Sequence, residues 1–321
     1  MNSIIIENEK IKVSVIPQGA TLVSFIYKGN NTELVLGLNT ENAYLEKNSG
    51  GMGKTIGRCA NRIGNAKFTL NGITYNLLAN NGINTLHGGA VNFGNVIWNV
   101  DSYTNNKVVF SYLSKDMEAG FPGDLLVHTI YEINDSELSI YYDGKSNKDT
   151  IMNLTNHTYF NLNRKKVDIL SHNLQIFADS LCENDENGMS TENIIKMEGS
   201  KYDFAIRKKI GNVISKEDTN LLTGIDHAYL YNSFNEKKLC RLDNDILYVD
   251  IYSTLPAAHF YTGTGLNVDG RDGHYGKFAG IAIEPEFVPN AINYNKFDKP
   301  ILKANEYKEF LIRYKVGECG F

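Results

Sequence analysis

The stretch LLVHTIYEINDSELSIYY, residues 125–142, decides the fold class. Apolar and polar residues alternate along both arms, which is the period of a strand with one buried face. Between the arms, Asn134, Asp135 and Ser136 are turn formers, whose side chains bond the local backbone and tolerate a tight reversal. The segment predicts a long antiparallel hairpin. A second hairpin is predicted over KFTLNGITYNL, residues 67–77, where Asn71-Gly72 suits both positive-φ positions of a type I′ turn. Residues 110–113, 168–177, 247–252, 281–284 and 309–315 read as further strands. Helical expectations are slight: residues 39–47, opened by Asn39 or Thr40 as a cap, and residues 216–220. No fixed-period repeat and no Pro- or Ser-rich linker divides the chain. The expectation is all-β: one large antiparallel β-sandwich domain over residues 1–321, not a propeller.

A chain of 321 residues can bury a large core without disulfides or a structural metal. Its 42% hydrophobic and 21% charged residues exclude a disordered or collagen-like polymer. Lys and Arg number 32 against 37 Asp and Glu, and the net charge of -5 gives no footprint for nucleic acid or an anionic membrane. Cys59, Cys182, Cys240 and Cys319 are widely spaced, without a CxxC pair, and read as reduced thiols. The opening MNSIIIENEK has an apolar run of three, short of the roughly 7–15 of a secretory signal. No stretch approaches the roughly 18 apolar residues of a membrane span. A cytoplasmic protein is expected.

Nucleotide and metal motifs are missing. No GxGxxG follows a strand, and in NSGGMGKT, residues 48–55, Asn48 stands where a phosphate loop needs its first glycine. That string reads as a surface loop. The 7 histidines form no HxH or HExxH, so no metal site is expected. No GxSxG elbow occurs.

Polar clusters in structured context carry the chemistry instead. GRCANRIG, residues 57–64, gathers Arg58, Asn61 and Arg62 just before a hairpin, as donors for hydroxyls or carboxylates or as structural ion pairs. TLHGG, residues 85–89, sets His87 beside glycines that permit close backbone approach. In IMNLTNHTYFNL, residues 151–162, a strand would put Thr155, His157, Tyr159 and Asn161 on one face. Such a face is poor core but a good wall for a polyhydroxylated ligand. In FAGIAIEPEFVPNAIN, residues 278–293, Ile281 and Ile283 point one way and Ala282, Glu284 and Glu286 the other. Asp226 precedes a strand-like run and is placed to accept hydrogen bonds. The polar stretch 182–200 reads as a loop over a cleft or as plain surface.

Taken in order, GRCANRI, TLHGG, GFPG at 120–123, NLTNHTYFNL, the Asp226 segment, HFYTG at 259–263 and the Glu284 segment resemble the aldose 1-epimerase (galactose mutarotase) family over nearly the whole chain. The resemblance implies a β-supersandwich, no cofactor, and interconversion of the α and β anomers of aldoses such as galactose and glucose. It implies His157 as general acid and Glu284 as general base, with Asn61, Arg62, His87, Tyr159 and Asp226 lining the sugar site. The sequence departs from the family pattern at His259, where Gln is common, at Pro285-Glu286, where Thr-Gln is usual, and at Asn290, where Asp is common.

The chemistry suits those roles. Opening a pyranose takes the proton from the C1 hydroxyl and gives one to the ring oxygen, which favours an acid and a base on opposite sides of the sugar. Imidazole can hold a transferable proton near neutrality and a carboxylate can accept one. The second carboxylate, Glu286, should raise a pKa of the pair if both are buried. Three other readings compete: a glycosidase using Glu284 with Glu286 or Asp226, a hexose-phosphate epimerase using Arg58 and Arg62, and a non-catalytic carbohydrate-binding protein. The expected partner is a small aldose, bound by a monomer or homodimer.

Overall fold

A computed structural model describes residues 3–45, 50–89, 91–215 and 224–320. The predicted hairpin is the centre of the larger layer. Leu125–Asn134 pairs with Glu137–Ser146 across an Asp135-Ser136 turn, and Asp135 takes φ 52°. Along the first arm Leu125, Val127, Thr129, Tyr131 and Ile133 are buried while their neighbours face outward, as the alternation requires. The smaller hairpin, Lys67–Leu70 with Ile73–Asn76, turns on Asn71 at φ 52° and Gly72 at φ 78°.

Two layers enclose the core. The nine-stranded sheet runs, in spatial order, Asn99–Tyr103, Lys107–Ser114, Leu125–Asn134, Glu137–Ser146, Tyr307–Glu318, Leu247–Ser253, Lys237–Asp243, Asn173–Ile176 and Lys208–Lys209. The six-stranded sheet runs Tyr159–Phe160, Ile281–Glu286, Ala257–Tyr261, Asp226–Leu230, Ser180–Asn184 and Ser190–Lys196. Every pairing in both sheets is antiparallel. Their facing side chains form one apolar cluster: Val127, Tyr131, Ile140 and Tyr314 from the larger, Phe160, Tyr229, Phe260, Ile281 and Ile283 from the smaller. Phe160 and Tyr314 meet edge to face across the layers at 5.1 Å. Each such side chain contributes about 1.5–3 kcal/mol through burial. The architecture is the expected antiparallel β-sandwich.

The six-stranded sheet has a second face, which is not apolar. The two-residue period that sends Ile281, Ile283 and Phe260 into the core sends Ala282, Glu284, Tyr261 and His259 the other way. Ala228, Ala257 and Ala282 lie on that face. Their short side chains hollow the sheet where the polar groups stand.

Several expectations are corrected. Residues 155–161 do not form one strand. Thr155–Asn156 pairs with Thr55–Ile56, and Tyr159–Phe160 pairs with Ile281 and Ala282. Between them Asn156 Nδ2 donates to the Gly53 carbonyl and Thr158 Oγ1 to Asn156 Oδ1, local bonds that compete with a ladder. In consequence Asn161 turns away and donates to the carbonyls of Ala279 and Asp168. The strand predicted over 168–177 shrinks to Asn173–Ile176, because Asp168 Oδ1 accepts from Leu170 N and Ile169 N bonds Phe278. Of the segment 39–47, residues 39–45 hold only a short 3-10 turn, Glu41–Leu45, and residues 46 and 47 lie outside the described residues; among the described residues no longer helix occurs. The helix expected over 216–220 lies outside the described residues, as do Asn48 and Ser49. The rest of the glycine-rich string is not a surface loop: Met52, Lys54 and Thr55 are buried. Nor is 182–200 irregular, since Ser180–Asn184 and Ser190–Lys196 form a hairpin.

Candidate active site

On the hollow face the sheet register converges on one carboxylate. Tyr159 pairs with Ala282, so continuing that ladder by two residues would set His157 opposite Glu284. On the other side, His259 is the direct partner of Glu284. Glu284 thus stands between two histidines at cross-strand spacing. The chain leaves the first ladder at Thr158 and His157 is held from elsewhere: its N–H donates to the Lys54 carbonyl at 2.9 Å and its carbonyl accepts from Gly53 N at 2.8 Å. The outcome is His157 Nε2 at 3.5 Å from Glu284 Oε1. Gly51, at φ +70°, packs under the imidazole, where a Cβ would sit 3.5 Å from the ring.

A second structural unit supplies the cleft's other wall. Arg62–Ile63 pairs with Thr85–Leu86. Asn61 and His87 flank this pair in left-handed backbone conformation, φ 59° and 54°. They lock each other: His87 N donates to Asn61 O at 2.9 Å and Asn61 N to His87 Nδ1 at 3.2 Å. Gly88 is required next to them, because at φ +84° a Cβ would lie 2.2 Å from the Gly57 carbonyl oxygen.

The cleft between these walls has a volume of about 470 Å³. It brings together all seven residues expected from the sequence: Asn61, Arg62, His87, His157, Tyr159, Asp226 and Glu284. Thr155 and Asn161 are not among its lining residues. His259 and Tyr261 also line it, as do Thr264 and the turn residues Asn187 and Gly188. The HFYTG string signalled the first two, whereas nothing in the polar 182–200 stretch distinguished its turn residues from ordinary surface. Arg58, grouped with Arg62 in the sequence, lies elsewhere: its guanidinium is buried and donates to the carbonyls of Pro122 and Gly123 and to Ser114 Oγ and Thr150 Oγ1. Arg58 holds the GFPG turn, which leaves Arg62 as the cationic side chain lining this cleft.

Electrostatics differ sharply from water. Burial pushes His157 down to about 4. Burial also lowers His87, helped by the nearby His157 and Arg62. Glu284 is raised well above the usual carboxyl range by burial and by the charge of Asp226, against the pull of Arg62. Glu286 is raised by burial and by Glu284, as its place beside the first carboxylate led one to expect. Its Oε1 accepts from Asn61 Nδ2 at 3.0 Å, so the Asn61 amide is committed to the protein, with its oxygen accepting from Arg62 N at 2.9 Å. Burial, the largest single influence, would raise Asp226 too, but the 2.6 Å hydrogen bond from His259 Nε2 together with the charges of His259, Arg62 and His227 holds that carboxyl below its ordinary value. Asn290 acts at a distance, accepting from Gly64 N at 2.9 Å.

Three buried polar atoms of cleft-lining residues, His157 Nδ1, His259 Nδ1 and Glu284 Oε2, have no protein hydrogen-bond partner. Buried polar atoms are otherwise satisfied in folded proteins, so these mark where a polar ligand would be held. His87, His157 and Glu284 have ligand-capable atoms within 4.8 Å of one another. Two ligands on one transition metal at about 2.0–2.2 Å each lie closer than that, so the group would have to contract to hold an ion.

The chain has known relatives in sequence and in fold. The family model for aldose 1-epimerase matches residues 2–315. A galactose mutarotase of Bos taurus is 33% identical over 311 residues, 94% of this chain and 90% of its own. The aldose 1-epimerase of Escherichia coli K12 is 32% identical over 321 residues, 96% of this chain and 92% of its own. Among solved structures, an aldose epimerase homologue from C. elegans superposes with a TM-score of 0.92 at 28% identity, covering 99% of both chains. A galactose 1-epimerase from Lactobacillus acidophilus gives 0.87 at 27% identity, covering 99% of this chain and 95% of its own. With the family model matching nearly the whole chain and relatives above 30% identity covering it almost completely, the chain belongs to the aldose 1-epimerase family of isomerases.

Proposed function

We propose that this single-domain enzyme interconverts the α and β anomers of hexoses such as galactose and glucose, with His157 as general acid and Glu284 as general base. The observation that carries the reading is the 3.5 Å approach of His157 Nε2 to Glu284 Oε1 in a polar cleft. Both oxygens that exchange protons in ring opening are bonded to C1. Acid and base therefore need to stand close together at one edge of the sugar, and not on opposite sides as first expected.

The shifted pKa values favour the chemistry. Ring opening starts from imidazolium and carboxylate and ends with neutral imidazole and protonated carboxyl. Burial pushes His157 down and Glu284 up, so the site favours the pair that accompanies the open aldehyde, the less stable sugar form. Both arrangements hold the same number of protons, and the pair titrates as a unit. Rotation about C1–C2 then exposes the other carbonyl face, and the reverse transfers close the ring. Arg62, His87, Tyr159 and Asp226 surround the sugar, and Asn61 fixes Arg62 and Glu286. Among the described residues, no helix is long and apolar enough to cross a membrane. Four free thiols, three of them buried, suit a cytoplasmic setting; we propose a monomer or homodimer.

The test is the optical rotation of freshly dissolved α-galactose and α-glucose, which should relax faster with enzyme than in buffer. No acceleration for either sugar would end the proposal.

A further inference from the structure

Among the described residues, the catalytic cleft is lined by more acid than base. Asp226 and Glu284 line it, Glu286 stands two residues on along the same strand face, and Arg62 is the cationic side chain of the lining. Burial also works against positive charge on the histidines, pushing His157 down to about 4 and holding His87 well below its usual range. His259 satisfies Asp226 through its 2.6 Å hydrogen bond. No such bond reaches Glu284 Oε2 among the described residues, although the residue is only 1% exposed. Buried carboxylates are ordinarily paired with a cation or with several donors. The pull of Arg62 is shared with Asp226 and Glu286, so the ionised form of Glu284 calls for a counter-charge from outside the fold.

The geometry says where that charge belongs. His157 Nε2 and Glu284 Oε1 are 3.5 Å apart. A neutral imidazole accepts one hydrogen bond and a carboxylate accepts another. The two atoms are close enough for a single nitrogen, at about 2.9 Å from each, to donate to both. Tyr159 adjoins this point, its ring centroid 4.9 Å from that of His157, and Tyr261 lies 6.2 Å further along. The face of a tyrosine attracts a cation. In anomer exchange these same two groups attend the ring oxygen and C1 of the sugar. A ring oxygen carries no hydrogen for two acceptors, whereas a protonated secondary amine in its place carries two.

We propose that the cleft binds cationic iminosugars, pyranose analogues with a protonated nitrogen in place of the ring oxygen, whose ammonium donates to His157 Nε2 and Glu284 Oε1. The proposal rests on the anomer-exchange reading, which sets the ring atom beside this pair, and it names an inhibitor class for the site. Such a ligand brings its own proton, so His157 stays neutral while Glu284 gains its counter-charge. Without a hydroxyl at C1 it cannot open, and it blocks the cleft.

The experiment compares 1-deoxynojirimycin with 1,5-anhydroglucitol, which has the same hydroxyls around a ring oxygen, and the galacto isomers of both. Calorimetry at pH 6 gives each Kd, and polarimetry on α-galactose gives the inhibition. At least one iminosugar should bind about tenfold or more tighter than its oxygen isostere, about 1.4 kcal/mol. Glu284→Gln should bring that ratio to about one, because an amide supplies no counter-charge. Asp226→Asn should keep the preference, which places the ammonium at Glu284. Equal affinity of the isosteres for the wild type would overturn the proposal without recourse to any variant. So would a preference that survives Glu284→Gln or disappears in Asp226→Asn. Should the wild type accelerate no aldose, the anomer-exchange reading fails separately, and the calorimetric ratios still decide the cation preference.

Discussion

Replacing Glu284 by Gln separates what the carboxylate does for the reaction from what it costs the fold. Glu284 is 1% exposed, Oε2 has no protein partner, and its pKa is raised by burial and by Asp226. In the unfolded chain the same carboxyl ionises near about 4.3. Between that value and its raised folded value the folded state holds a proton that the unfolded state has released. Stability from this group is therefore full at low pH and falls as pH rises, by about 1.4 kcal/mol per unit, until the folded carboxyl also ionises. His157, with its folded pKa lowered to about 4, contributes the opposite slope between there and its unfolded value, which is why the wild type alone is uninformative. Comparison with Glu284→Gln leaves the change in this coupled pair, in which loss of the raised carboxyl dominates above about pH 6.5, where the unfolded histidine has itself lost its proton. Urea unfolding at pH 5, 6, 7 and 8 should show the variant gaining on the wild type by about 1 kcal/mol or more per unit over part of that range. Its activity on α-galactose should meanwhile drop by about 10²–10⁴, since an amide cannot take the C1 hydroxyl proton. A stability difference independent of pH would refute the buried, proton-holding carboxyl, and full activity would remove Glu284 from the mechanism.

Three further outcomes are expected. The pH profile of kcat/KM should keep its activity through the usual histidine range and decline only near pH 4 on the acid side, where His157 takes its second proton and leaves the pair without a base; polarimetry that places this limb at about 6.5 would contradict it. His157→Asn should lose about 10²–10⁴ in rate with little change in melting temperature, because that residue is tied to the fold through its backbone bonds to Lys54 and Gly53. Arg58→Ala should act the other way round, costing about 3 kcal/mol or more in urea unfolding by stranding buried carbonyls at Pro122 and Gly123, and circular dichroism melts will register it before any assay does.

The sequence made the sheets legible where one face is buried and one is wet. Residues 125–142 alternate because their strands divide core from solvent, and the Asn71-Gly72 turn announces itself through its positive φ values. The same logic failed over 155–161. There both sides of the chain are covered, so alternation carries no information, and short side-chain bonds from Asn156 and Thr158 break the ladder. Arg58 and Arg62 look equivalent in the string GRCANRI, yet one is buried under a turn and the other faces the cleft. Only the partners, Pro122, Gly123 and Ser114 for the first and Asn81 for the second, tell them apart, and those lie far along the chain.

The departures at His259 and Glu286 become intelligible as one arrangement of charge. Three carboxyls, Asp226, Glu284 and Glu286, crowd this part of the fold, and Arg62 acts on all three. If all three ionised, mutual repulsion in a buried site would be severe. His259 removes Asp226 from the contest by a 2.6 Å hydrogen bond that keeps it ionised. Asn61 gives Glu286 a single donor, which is too little to offset its burial, so its pKa stays raised well above the usual carboxyl range. Of the two raised carboxyls, Glu284 is the one that lines the cleft, and so the one whose protonation would change with a sugar. It stands beside His157, the imidazole from which a proton has the shortest way to travel.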